Sequence, residues 1–83
     1  MLEERKLFCL KTFEDLGITR REAEILFWIT QGKTGGMIAT LYNISLRTVQ
    51  KHIENIYRKL GVETRNSAML RALEISQPAA NTR

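Results

Sequence analysis

SLRTVQKHIENIYRKLGV, residues 45–62, is the stretch from which the rest of the chain can be read. Wound at 3.6 residues per turn, it places Leu46, Val49, Ile53, Ile56 and Leu60 along one stripe. The opposite side carries Arg47, Lys51, Glu54 and Arg58, with Thr48, Gln50 and Asn55 at its margins. Ser45 stands where an N-cap hydroxyl accepts an early helical N–H. Gly61 follows Leu60 at the position where a left-handed residue closes many helices. One side of this helix is built for a protein core, and the other is basic and rich in hydrogen-bonding groups. Ordinary surface helices are charged outside as well, so a solvated face and a binding face both fit at this point.

The chain has 83 residues, enough for one small domain. A domain of this size buries only about 60% of its unfolded-chain surface, so its stability is expected to be marginal. Apolar residues make up 43% and charged residues 27%, the balance of a soluble globular protein. No apolar run approaches the roughly 20 residues that span a bilayer, and no secretory pattern opens the sequence. Cys9 is the sole cysteine, which excludes an internal disulfide and a multi-cysteine zinc site; a reducing cytoplasm is the expected home. The net charge is +4, and residues 45–65 hold most of the excess: Arg47, Lys51, Arg58, Lys59 and Arg65 against Glu54 and Glu63. Residues 1–16 lean acidic instead. A surface that binds a polyanion has this placement of charge.

Upstream, residues 2–16 are expected to form a helix with Leu7, Leu10, Phe13 and Phe8 inward, ended by Gly17, with Cys9 as a small apolar filler. Thr19 and Glu22 have capping-box spacing, and Ile18 is placed to staple against Ala23. The helix to Gln31 is apolar around much of its circumference, which predicts a central position and a core role for Trp28. Gly32-Lys33-Thr34 is not a phosphate loop, because Phe27 stands where a glycine is required and a helix precedes it. Thr34 is expected to cap a short helix to Tyr42, unusual in having Gly35 and Gly36 in its first turn. Asn43 suits a left-handed turn residue, Ile44 is expected to bury, and Ser45 begins the next helix. A short helix, a tight turn and a longer helix with a basic outer side make a helix-turn-helix. Thr64 can cap a last helix to Ile75, in which Ala68 and Ala72 permit close packing. Residues 76–83, with Pro78, read as a flexible tail.

Ile18-Thr19-Arg20-Arg21-Glu22-Ala23-Glu24-Ile25-Leu26, Gly32, Ile38-Ala39, Ile44-Ser45, Thr48-Val49, His52, Asn55-Ile56, Lys59-Leu60-Gly61-Val62, Arg65, Ala68 and Ala72 together resemble the LuxR-type (GerE-like) DNA-binding domain. The resemblance runs without a gap from residue 18 to residue 75. It implies an all-α, four-helix helix-turn-helix bundle over residues 18–75, preceded by an N-terminal helix or linker over residues 1–17. It also implies a cytoplasmic, bacterial-type transcription regulator that binds promoter or operator DNA and dimerises through its last helix, with RNA polymerase as a further candidate partner. Neither membrane, cofactor nor metal is implied. By the same resemblance Gln50, Lys51 and Glu54 meet base edges in the major groove, and Thr48 meets a phosphate. The DNA-facing set further takes in Thr34, Gly35, Gly36, Ser45, Arg47, Asn55, Arg58 and Lys59; the dimer face takes in Ser67, Leu70, Arg71 and Glu74.

Two departures stand out. The family usually has lysine where this chain has Gln50, and glutamine suits adenine where lysine favours guanine. The family also commonly reads S-N-K-E where this chain has Thr34-Gly35-Gly36-Met37, so the second capping bond and a charge near the phosphates are both missing here. These losses recommend the alternative of a helix-turn-helix relative that now pairs with another protein. An enzyme is the weakest reading. The matched region offers no Cys–His pair, no carboxylate cluster in an apolar setting, and no catalytic or metal-ligand set, and His52 lacks a companion at ligand spacing.

Overall fold

The computed structural model describes residues 2–76 and shows five helices: α1 (Leu2–Glu14), α2 (Arg20–Thr30), α3 (Gly35–Tyr42), α4 (Leu46–Leu60) and α5 (Arg65–Ile75). Among the described residues there is no strand, and the fold is all-α. Of the expected tail only Ser76, which caps α5, is described; residues 77–83 lie outside the described part.

Each helix boundary from α2 onward has a local cause. Thr19 Oγ1 accepts the Glu22 N–H at 3.1 Å, and a Glu22 carboxylate oxygen accepts the Thr19 N–H at 3.1 Å, which is the reciprocal capping box. Thr34, Ser45 and Thr64 cap α3, α4 and α5 in the same way on one side only, each accepting the N–H three residues on. Asn43 takes a left-handed conformation (φ 55°, ψ 47°) and turns α3 into α4, with Ile44 N–H closing back on the Ala39 carbonyl at 3.0 Å. Gly61 does the same at the end of α4 (φ 72°), with Val62 N–H on the Tyr57 carbonyl at 3.0 Å.

Helix α2 is the centre of the bundle and packs against α1, α4 and α5, while α3 packs on α4. Its buried residues, Glu22, Ala23, Ile25, Leu26, Phe27 and Ile29, occupy most of its circumference, as its composition predicts. Ile18 is buried just ahead of it. Val49 and Ile56 bring α4 into the core, Ile38 and Ala39 bring α3, and the fully buried Ala68 and Ala72 let α5 approach closely. Trp28 is half-buried against the core, edge-on to Phe27, and donates from Nε1 to the Tyr42 hydroxyl at 2.9 Å. Arg21 lies over the Tyr42 ring at 4.4 Å, so α2 and α3 are joined by polar as well as apolar contacts. Half-buried Ile44 packs against the same core.

The first helix departs from expectation. Leu10 and Phe13 are fully buried, and Lys6 lies 5.0 Å over the Trp28 ring, so α1 is docked on the bundle. Leu7 and Phe8, expected inward, are 53% and 46% exposed. At about 100° per residue one helix face cannot take residues 7, 8, 10 and 13 together; Leu10 and Phe13, about 60° apart, take the inward face, which leaves Phe8 nearly opposite and Leu7 to one side.

Candidate nucleic-acid interface

The core contacts of α4 fix which of its side chains reach solvent. With Val49 and Ile56 fully buried, Arg47, Gln50, Lys51, Glu54 and Arg58 all stand exposed on the other side. Among the described residues, none of Arg47, Lys51 and Arg58 forms an ion pair. Asn55 is half-buried and its Oδ1 accepts from Arg58 Nη2 at 2.9 Å, which steers the guanidinium along the exposed side of the helix. Glu54 is the one acid on this face of α4.

The starts of α3 and α4 lie side by side. A methyl group on Gly35 would stand 3.2 Å from Leu46 Cδ1 and 4.0 Å from Val49 Cγ1. At the start of α4, Ser45 Oγ accepts the Thr48 N–H at 3.0 Å, and the two hydroxyls are 2.9 Å apart. At the start of α3, Thr34 Oγ1 accepts the Met37 N–H at 3.2 Å, and no side chain returns the bond. Thr34, Gly36, Ser45 and Thr48 are exposed and Gly35 is half-buried, so two helix N-termini open beside the cationic line. Fractional positive charge at such termini favours anions.

One member of the expected DNA-facing set has a partner within the protein. Lys59 Nζ sits 2.8 Å from a carboxylate oxygen of the buried Glu22, while the Lys59 side chain itself is 32% exposed. It follows Arg58 directly and so lies about a quarter-turn further round, on the flank that meets α2. Burial pushes the Glu22 carboxyl up, but the hydrogen bonds and charge supplied by Lys59 and Thr19 outweigh it and hold the group below its usual value. The Arg65 guanidinium donates to the Lys33 carbonyl and ties the start of α5 to the loop before α3. Nothing in the sequence marks that contact, which spans 32 positions.

On α5, Ser67, Leu70, Arg71 and Glu74 are all exposed on the side turned away from Ala68 and Ala72. Ser67 takes part in the Thr64 cap, and Arg71 pairs with Glu74 at 3.7 Å. Met37 and Leu41 are also exposed and border a shallow groove with Lys33 and Thr40. Half-buried His52 has no companions for a metal: among the described residues no three His, Cys, Asp or Glu side chains cluster to hold an ion. No described helix is long and apolar enough to cross a membrane.

Comparison with known proteins agrees with this geometry. Residues 17–72 match the family model described as bacterial regulatory proteins, luxR family. The transcriptional activator protein EsaR of Pantoea stewartii subsp. stewartii is 41% identical over 63 residues, covering 74% of this chain and 25% of its own length. The nitrate/nitrite response regulator protein NarP of Escherichia coli (strain K12) is 37% identical over 73 residues, covering 88% of this chain and 34% of its own. The transcriptional activator protein AhyR of Aeromonas hydrophila is 41% identical over 56 residues, which is 68% of this chain and 22% of that protein. The chain thus spans between about a fifth and a third of the length of these relatives.

Proposed function

Because this chain belongs to the luxR family of bacterial regulatory proteins, we propose that it binds double-stranded promoter or operator DNA in the cytoplasm, with α4 in the major groove. Gln50, Lys51 and Glu54 read base edges, while Arg47, Thr48 and Arg58 take phosphates. Ser45, Thr34, Gly35 and Gly36 bring the paired helix starts to the backbone. Asn55 acts by orienting Arg58. Lys59 is left out of the DNA-facing set, since Glu22 holds it. The observation that carries this reading is the line of Arg47, Lys51 and Arg58, exposed and without an ion pair, opposite a fully buried Val49 and Ile56.

Two copies pair through the outer side of α5, Ser67, Leu70, Arg71 and Glu74, so that two recognition helices meet two half-sites. RNA polymerase is the natural further partner of such a regulator. Fluorescence anisotropy with a mixed-sequence duplex at low salt tests the DNA reading, and binding should weaken steeply as salt is added. Selection of bound duplexes from a random pool then gives the operator and the half-site spacing together. Absence of binding at low salt overturns the reading and favours a protein-pairing module. That second reading draws support from exposed Met37 and Leu41 beside the uncharged Gly35–Gly36 turn.

A further inference from the structure

We infer that Glu22 and Lys59 are positioning residues for DNA binding: their contact fixes where the far end of α4 stands on the bundle. This deepens the DNA-binding reading above and rests on it. Lys59 Nζ is held 2.8 Å from a Glu22 carboxylate oxygen although its side chain is 32% exposed. The pair acts through Lys51, Glu54 and Arg58, whose placement relative to the starts of α3 and α4 depends on the tilt of one rod.

The near end of α4 is held by Val49, which is fully buried, and by the Ser45 cap. Arg58 lies twelve residues further on, about 18 Å along the axis at 1.5 Å per residue. A tilt of about 10° about the near end moves such a point by roughly 3 Å, the full length of a hydrogen bond. Apolar contacts at Ile56 and half-buried Leu60 resist separation but are not directional. The ion pair is directional, since a charge-assisted bond weakens quickly with distance and angle.

The carboxylate is also unable to follow a moving ammonium. The same Glu22 oxygen that accepts from Lys59 at 2.8 Å accepts the Thr19 N–H at 3.1 Å. Moving it would open the cap of α2, the helix on which α1, α4 and α5 all pack. The 5% exposed Glu22 side chain is therefore a fixed post, and Lys59 hangs the end of the recognition helix on it. The two residues are 37 positions apart in sequence, one in the first turn of α2 and one in the last turn of α4.

The test compares wild type with Lys59→Met, Glu22→Gln, the double variant, Lys59→Arg, and Ile29→Val as a core control in α2. Affinity is measured by anisotropy on a selected duplex and on mixed sequence across a salt series, well below every melting temperature. The expected result is a specific-to-mixed affinity ratio at least fivefold lower in Lys59→Met, a smaller fall in Glu22→Gln, and a ratio in the double variant no lower than in Lys59→Met. The salt slope stays at the wild-type value, because no phosphate contact is lost. Lys59→Arg keeps the ratio within twofold, and Ile29→Val keeps it whatever its melting temperature. Glu22→Gln keeps the one oxygen that both the Thr19 N–H and Lys59 use but loses its charge, so it weakens the contact without opening the cap, whereas Lys59→Met, at a side chain 32% exposed, removes the contact outright. An unchanged ratio in Lys59→Met overturns the inference. So does a Lys59→Met salt slope lower by about 1 with Glu22→Gln unaffected, which would put the ammonium on a phosphate. A ratio that falls equally in Ile29→Val overturns it as well. If wild type binds no duplex at all, the proposed function fails first, and that outcome is distinct from the others.

Discussion

A methyl group placed on Gly35 would stand 3.2 Å from Leu46 Cδ1, while one placed on Gly36 would meet nothing closer than Thr34 Oγ1 at 3.9 Å. The two glycines of the α3 first turn are therefore not equivalent. Gly36 contributes only conformational freedom to the unfolded chain, so Gly36→Ala should stabilise the domain by about 0.5–1 kcal/mol. Gly35→Ala must push Leu46 aside by a few tenths of an ångström. Leu46 is 46% exposed and can give way, so a smaller gain is expected there. Thermal melts of the two variants decide it, and an equal or larger gain at Gly35 would contradict the packing described.

The one-sided cap of α3 can be completed. Met37 occupies the third helical position, its N–H already on Thr34 Oγ1 and its side chain in solvent. Glutamate there can return the bond to the Thr34 N–H, and lysine at position 36 adds a cation beside the helix starts. Met37→Glu with Gly36→Lys should raise both melting temperature and DNA affinity. A variant that gains neither would show that this turn is misread.

Acid should loosen the α2–α4 contact. Burial alone would raise the Glu22 carboxyl, but Lys59 and Thr19 hold it below 4.5, so the folded state prefers the ionised form. Its contribution to stability is fully present above about pH 4.5 and is lost as pH falls through the lower folded value. Melting temperatures of wild type and Glu22→Gln should therefore converge on acidification through that window. A gap that stays constant down to about pH 3 would exclude the ionised pair as the source.

Much of this was legible because the signals are local. Capping by Thr19, Thr34, Ser45 and Thr64, and left-handed turns at Asn43 and Gly61, depend on a few neighbouring residues, and all six hold. The stripe of α4 separates its two sides because apolar and basic residues keep strict helical spacing. Leu7 and Phe8 were misplaced because α1 offers apolar residues on several sides, and periodicity does not select among them. The partners of Lys59 and Arg65 are not legible for another reason. A long cation is indistinguishable from any other in sequence until its partner, Glu22 or the Lys33 carbonyl, is brought near by the fold.

The family match begins at residue 17, yet Phe13 and Leu10 of α1 are among the largest fully buried side chains. Phe13→Ala should cost about 3–5 kcal/mol, a large part of what so small a domain possesses. Removing residues 1–16 should cost at least as much, although every residue of the family match is kept. Trp28, the single tryptophan, lies beneath Lys6 of α1 and reports both losses by fluorescence. A truncated chain with unchanged stability would mean that α1 is an optional attachment.

Lys51 and Arg58 stand on one face and should fail differently. Lys51 is assigned to base edges, so Lys51→Ala should flatten preference at one or two operator positions, by about 1–3 kcal/mol of discrimination. Arg58, oriented by Asn55, is assigned to a phosphate. Arg58→Ala should weaken binding to all sequences alike and lower the salt slope by about 1. Gln50→Lys should move the preferred base at its position from adenine toward guanine, since a lysine meets the guanine acceptors that glutamine reads poorly. Site selection with each variant separates the three roles. If Arg58→Ala reshapes the operator and Lys51→Ala only weakens binding, α4 lies in the groove rotated from the orientation argued here. If Gln50→Lys leaves the site unchanged, the glutamine faces no base.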